Sequence, residues 1–252
     1  MRFERRKIVL TGGSGALGSL VAAELLHGGA VLTTVGRRKP ELIGANHLTA
    51  DLGSMVDLAA LTTQLSALAP DILINLAGAQ HFGPVERQSA ERVHDAYMVN
   101  LVAPVLLTQA VLPAMKGRGS GQIVNIGSIF GSINYPHFAT YSSAKAGLRG
   151  FSEALRREIG SGGIAVTYVA PRAMKAGFAS GSVRDFVKMA RMKTDEPADV
   201  ARVIVRAIAD RRKEVLLGLP ERLFVRLNAF APRIVDAALA GQTAKVSRIF
   251  SN

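Results

Sequence analysis

The sequence predicts an α/β fold: a doubly wound parallel sheet with helices on both faces, formed as a single domain. Short β-rich apolar runs alternate with segments of helical periodicity through most of the 252 residues. The runs are apolar at almost every position, as expected of strands covered on both faces. A glycine-rich turn stands between the first strand and the first helix. No Pro/Ser-rich linker or change of composition marks a seam, so residues 1–219 read as one body and 220–252 as an extension packed on it or projecting from it.

The spacing predicts a strand at 7–11 followed by a helix at 18–26, then a strand at 31–35 followed by a helix at 56–68. Strands at 72–75, 122–126, 165–169 and 215–217 alternate with helices at 90–115, 141–159 and 197–209. Ligands of such sheets bind at the carboxyl ends of the strands, so residues just after each strand are the first place to seek a site.

After the first strand comes Thr11-Gly12-Gly13-Ser14-Gly15-Ala16-Leu17-Gly18, in which Gly13, Gly15 and Gly18 fit G-x-G-x-x-G. A glycine-rich surface turn is the plain alternative, but the strand–turn–helix setting favours a nucleotide. Glycines permit close backbone approach, and a helix start offers free N–H groups to a pyrophosphate. Gly12, Ser14, Gly15, Leu17 and Gly18 are the expected contacts.

The second strand ends in Val35-Gly36-Arg37-Arg38-Lys39, where an NAD site usually has a carboxylate for the ribose hydroxyls. Arg37 and Arg38 can instead pair with a 2′-phosphate, which favours NADP(H) over NAD(H). Asp51, beside Leu52, can accept from the adenine amino group or serve as the N-cap of the helix beginning near Met55. Asn75-Leu76-Ala77-Gly78 closes the third predicted strand, and Ala77 and Gly78 leave room for the cofactor.

Composition agrees with a soluble globular protein: 48% of residues are hydrophobic and 20% charged. The apolar runs are broken by Gly, Pro or charge, so no membrane span is expected. The N-terminus lacks the pattern of a signal peptide, so export is not expected. The absence of cysteine excludes disulfides, thiolate metal sites and cysteine nucleophiles, and agrees with a cytoplasmic location. A net charge of +12 suits acidic partners such as anionic lipid, acyl carrier protein or a phosphorylated cofactor. Nucleic acid is not expected, because the basic residues are spread without a base-reading motif.

Ser128 follows the strand at 122–126, and Tyr141-Ser142-Ser143-Ala144-Lys145 opens the next helix. Tyr141 and Lys145, at i and i+4, share one face, where an ammonium lowers a phenol's pKa toward working pH. Such a tyrosine can give a proton to a forming alkoxide or take one from an alcohol. Ser128 can hydrogen-bond the same oxygen. Tyr-x-x-x-Lys alone is common on helices, and its weight comes from Ser128, from Asn100 within the long helix, and from the nucleotide turn.

Together these motifs, in this order from about residue 7 to residue 218, resemble the short-chain dehydrogenase/reductase family in its compact, single-domain Rossmann-type branch. The resemblance implies a catalytic tetrad of Asn100, Ser128, Tyr141 and Lys145. In it Ser128 orients the carbonyl and Tyr141 acts as acid or base. Lys145 binds the nicotinamide ribose and tunes Tyr141, and Asn100 holds a relay water. Asn75 and Pro171 would join the cofactor contacts, and a homodimer or homotetramer is implied.

Three departures stand out. Ala16 replaces the middle glycine of the family loop, Leu76 replaces an asparagine, and the segment after the strand at 165–169 reads Pro171-Arg172-Ala173-Met174-Lys175-Ala176. Arg172 stands for a glycine and Ala176 for a threonine that contacts the carboxamide, so nicotinamide anchoring is expected to differ there.

The segment 174–193 would cover the substrate. Its Met174, Phe178, Phe186, Val187 and Met189, with Ile129, Phe130, Tyr135 and Phe138, predict a largely apolar pocket. Lys175, Arg184, Lys188, Arg191 and Lys193 predict a basic mouth. The expected substrate is a small-molecule carbonyl or alcohol, of lipophilic or acyl type. A 3-oxoacyl thioester on a carrier protein is the alternative, and a non-catalytic NADP(H)-binding regulator is the reading from another class.

In 220–252, Leu223, Phe224, Leu227 and Phe230 can form an apolar helical face beside Arg222 and Arg226. A subunit contact or a pocket cover is expected there ahead of contact with a membrane surface.

Overall fold

The computed structural model describes residues 2–175, 181–190 and 192–250. Ala176, Phe178 and Arg191, named above, lie outside the described residues. Seven strands form one sheet in the order β3-β2-β1-β4-β5-β6-β7, every pair parallel. They are β1 Lys7–Thr11, β2 Val31–Gly36, β3 Asn46–Thr49, β4 Ile72–Asn75, β5 Gly121–Ile126, β6 Ile164–Ala170 and β7 Glu214–Leu216. The order reverses between β1 and β4, opening a crevice at their carboxyl ends.

Helices α1 Ala16–His27 and α8 Pro197–Ala209 pack together on one face, around Ile8, Leu10, Val21, Leu25 and Ile204. Helices α2 Met55–Leu68, α4 Ala103–Gly117 and α6 Ala139–Ile159 cover the other, around Val9, Leu58, Leu73, Leu107, Val111 and Leu155. A third apolar cluster sits beyond the carboxyl ends of the strands. It joins Phe130, Phe138 and Tyr168 to Phe186 of α7 Gly181–Met189, Val225 of α9 Leu219–Phe230 and Val235 of α10 Pro232–Ser247.

Four expectations change. β3, which reads Asn-His-Leu-Thr, carries no apolar run because it is an edge strand; Thr34 Oγ1 of β2 donates to the Asn46 carbonyl at 3.1 Å. The helix expected at 90–115 is α3 Ala90–Tyr97, a π-helical turn over Met98–Val102, and then α4. That run, Ala90–Gly117, is long and apolar enough to cross a membrane by length and composition, contrary to the reading from broken apolar runs. Its Ala103, Leu107, Val111 and Met115 are fully buried in the core beside the sheet. Finally, Asp51 is not the N-cap of α2: Ser54 is, its side chain accepting from the Asp57 N–H.

Candidate active site

The crevice holds a cavity of about 730 Å³. Gly12, Ser14, Gly15, Ala16, Leu17 and Gly18 line it, as do Arg37, Arg38, Asp51, Leu52, Ala77, Gly78 and Tyr141. The turn is built for close approach. Gly12 has φ +76°, and a Cβ there would come within 2.8 Å of Ala77 Cα; a Cβ on Gly18 would lie 2.0 Å from the Gly12 carbonyl oxygen. Gly13 does not line the cavity and packs on Thr34 instead. The glycines that shape the site are therefore 12, 15 and 18, with Gly15 as the N-cap of α1.

Thr11, which the sequence reading passed over, holds the two halves of the crevice together: its Oγ1 accepts from the Leu76 and Ala77 N–H groups, each at 3.0 Å. A threonine at the end of the first strand was the available signal. Arg37 is exposed, with Asp51 4.0 Å away, so its guanidinium is free to turn toward an anion. Asn75 is a correction. It is buried and donates to Asn125 Oδ1 at 2.8 Å, part of a chain that continues to Ser152 and lies inside the sheet, away from the cavity.

The catalytic candidates converge at the carboxyl end of β5. Lys145 is buried, and its Nζ donates to the Ile126 carbonyl at 2.9 Å and lies 5.9 Å from the Tyr141 ring centre. Burial pushes the Lys145 ammonium down to about 8. Burial also raises Tyr141, and a hydrogen-bond interaction with Ser128 opposes that rise. The direction expected from the i, i+4 spacing is thus reversed, because desolvation by burial outweighs the Ser128 hydrogen bond at Tyr141. Ser128 Oγ accepts from the Phe130 N–H at 3.2 Å, which fixes it at the start of α5 Phe130–Ile133.

Asn100 occupies the π-helical turn, where an extra residue redirects its side chain. Its Nδ2 donates to the Ala79 and Ala96 carbonyls at 2.6 and 2.8 Å, while Oδ1 is buried without a partner. A Cβ on Gly78 would sit 3.1 Å from that Oδ1 and 3.8 Å from Lys145 Nζ. The two groups therefore flank one small space, which suits the water-holding role implied for Asn100.

Next to Tyr141 lies a chamber of about 160 Å³, lined by Ser128, Ile129, Phe130, Phe138, Pro171, Arg172, Met174, Val183, Phe186, Val187 and Met192. Two of the expected pocket residues are placed otherwise: Met189 is exposed, and Tyr135 stacks on Phe130 at 5.1 Å. Sequence reasoning missed Phe82 and Phe250. Phe82 packs on Phe138, Phe186 and Phe250 at 4.8, 5.1 and 5.0 Å, and Arg87 Nη1 holds the Phe250 carbonyl at 2.8 Å. The C-terminal extension thus packs its inner side on the third apolar cluster, and none of its described residues lines the chamber itself.

Arg172 is clasped. Its Nε and Nη2 donate to Asp195 Oδ2 and Oδ1 at 2.9 and 2.6 Å, and Nη1 reaches both Glu221 carboxylate oxygens at 3.3 Å. This side chain joins the strand end after β6 to the far end of the covering segment and to α9.

The family model for short chain dehydrogenase matches residues 6–185. A ketoacyl reductase, HetN, from a Nostoc species is 31% identical over 92% of this chain and 87% of its own length. Among solved structures, a short-chain dehydrogenase from Sphingobium yanoikuyae in complex with NADPH is 27% identical, with TM-score 0.77 over 91% of this chain and 95% of that one. One from Leptospira borgpetersenii with bound NAD+ is 25% identical, with TM-score 0.73 over 85% and 92%. With the crevice, the glycine turn and the Ser128, Tyr141 and Lys145 group in place, the chain belongs to the short-chain dehydrogenase/reductase family of oxidoreductases.

Proposed function

We propose that this protein is an NADP(H)-dependent oxidoreductase acting on a lipophilic or acyl ketone and the corresponding alcohol. The observation that carries the reading is the continuity of two spaces at Tyr141: a dinucleotide-sized crevice rimmed by Arg37 and Arg38, and an apolar chamber. The crevice fits a nicotinamide dinucleotide, since its glycines bring the backbone close and the start of α1 offers N–H donors. Arg37 and Arg38 would hold the 2′-phosphate, Asp51 and Leu52 the adenine, Ala77 and Gly78 the middle of the molecule, and Lys145 the nicotinamide ribose. Pro171, on the chamber wall, would face the nicotinamide end.

The bound nicotinamide supplies or accepts the hydride. Tyr141, kept protonated by burial, donates its phenolic proton to the carbonyl oxygen as negative charge develops there. Ser128 hydrogen-bonds the same oxygen and orients it. Lys145 stabilises the phenolate left behind, and Asn100 Oδ1 holds a water through which the proton is replaced. The aromatic lining excludes bulk water, which strengthens each of these contacts.

A second reading, reduction of a 3-oxoacyl thioester on a carrier protein, is favoured by the exposed Arg184, Lys188 and Lys193 near the chamber and by the resemblance to a ketoacyl reductase. Titration with NADPH and NADH, followed by a carbonyl panel of small ketones, long-chain ketones and free and carrier-bound 3-oxoacyl thioesters, separates the readings. Tyr141→Phe should lower kcat by roughly 10² to 10⁴ and leave NADPH binding intact. An unchanged rate would refute the mechanism and leave the non-catalytic regulator standing.

A further inference from the structure

Helix α9 has two sides, and only one of them is turned into the protein. Val225 is buried in the third apolar cluster, Asn228 Nδ2 donates to the Ser132 carbonyl at 2.9 Å, and Glu221 is turned inward to Arg172. On the opposite side Leu219, Leu223, Arg226 and Phe230 fall at i, i+4, i+7 and i+11, a single stripe along the helix. Leu219, Leu223 and Phe230 are 79%, 67% and 90% exposed, and Ile234 at the start of α10 is 57% exposed. Exposed apolar side chains at three turns of α9, with Arg226 on the turn between Leu223 and Phe230, form a stripe and not scattered surface residues.

We propose that this outer face of α9, continued by Ile234, docks onto the surface of an anionic lipid bilayer. The charge is the discriminating feature. Arg226 lies within the stripe, Arg222 flanks it, and Arg233 is exposed beside Ile234. Arg222 is exposed and is steadied by its Nε on the Leu216 carbonyl at 2.7 Å. The only carboxylate of α9, Glu221, is occupied on the inner side. Apolar residues bracketed by arginines match the boundary between anionic headgroups and acyl chains.

A second copy of the chain fits this face less well. A two-fold contact sets the same patch against itself, and the arginines of one α9 would then face those of the other without a carboxylate on the stripe to pair them. The helix is already ordered by Glu221, Val225 and Asn228, so docking needs no folding step. The protein's charge of +12 draws it to the same surface. None of this depends on the identity of the carbonyl substrate.

The chain contains no tryptophan, so Phe230→Trp makes a single-fluorophore reporter. Its emission is expected to shift to the blue with phosphatidylglycerol vesicles at low salt, to be quenched by brominated acyl chains, and to stay unchanged with phosphatidylcholine vesicles. In cosedimentation, Arg222→Gln with Arg226→Gln should weaken partitioning about 25-fold, about fivefold for each arginine. Leu223→Ser with Phe230→Ser should weaken it at least roughly tenfold. Both pairs are expected to keep the thermal midpoint and the turnover of a soluble ketone. Absence of binding to phosphatidylglycerol vesicles at low salt would overturn the proposal. So would a lipid-independent oligomer that Leu223→Ser with Phe230→Ser converts to monomer, since the stripe would then be a subunit contact.

Discussion

Replacing Arg172 with methionine tests how the chamber wall is held. The substitution keeps most of the side-chain volume and removes the charge that joins Asp195 and Glu221. The three side chains are 15%, 21% and 18% exposed, so the trio lies much nearer a buried ion pair than a surface one. Breaking a fully buried pair costs about 3–5 kcal/mol, and an exposed one about 0–1. Discounted for the remaining contact with water, the loss is about 2–3 kcal/mol, which for a chain of this size lowers the thermal midpoint by roughly 5–10 °C. The loss has a place as well as a size. Asp195 also exchanges backbone hydrogen bonds with Ala173 and Lys175, at 2.9 and 3.0 Å, and Ala173 and Met174 form part of the chamber wall. The KM for the carbonyl substrate should therefore rise, while the Kd for NADPH, set along the glycine turn, stays constant. Because the two carboxylates left behind repel each other, adding Asp195→Asn and Glu221→Gln to Arg172→Met should recover much of the stability. Thermal unfolding followed by circular dichroism, with steady-state kinetics on the same samples, measures both effects. A midpoint moved by less than about 2 °C with KM unchanged would mean that the clasp holds nothing that matters.

Two further outcomes follow from charges in the chamber and the crevice. Lys145 titrates near 8 in the folded protein against about 10.5 when unfolded, so between those values the unfolded chain keeps a proton that the native state has lost. Stability relative to Lys145→Met should accordingly rise by up to about 3 kcal/mol from pH 8 to 10.5, as read by urea unfolding; a pH-independent difference would contradict the buried, depressed ammonium. Arg37→Ala with Arg38→Ala should weaken NADPH by roughly 10- to 100-fold and leave NADH nearly unchanged, measured by fluorescence titration, and an equal loss for both cofactors would remove the 2′-phosphate assignment.

What the sequence could disclose divides along physical lines. β1, β4, β5 and β6 are covered on both faces, so their burial is written as continuous apolar runs; β3, at an edge, has no such pressure and left no pattern. The spacing of Tyr141 and Lys145 was legible because a helix enforces it, but the direction of the Tyr141 pKa was not, because it depends on burial, which only the folded chain sets. The π-helical turn at Asn100 lies inside a run whose apolar periodicity conceals one extra residue. Pro104 in the first turn of α4, which lacks the N–H that a helix interior needs, was the single clue. Arg172 could be seen as a departure from the family, yet its partners lie 23 and 49 residues downstream, and ion pairs have no period to announce them. The same reasoning explains the extension: an amphipathic pattern states that a helix has two faces but not which one turns inward. In α9 that choice falls to Glu221, held by Arg172, to Asn228, held by the Ser132 carbonyl, and to Val225, buried in the third cluster, and it is this choice that leaves Leu219, Leu223, Arg226 and Phe230 outward.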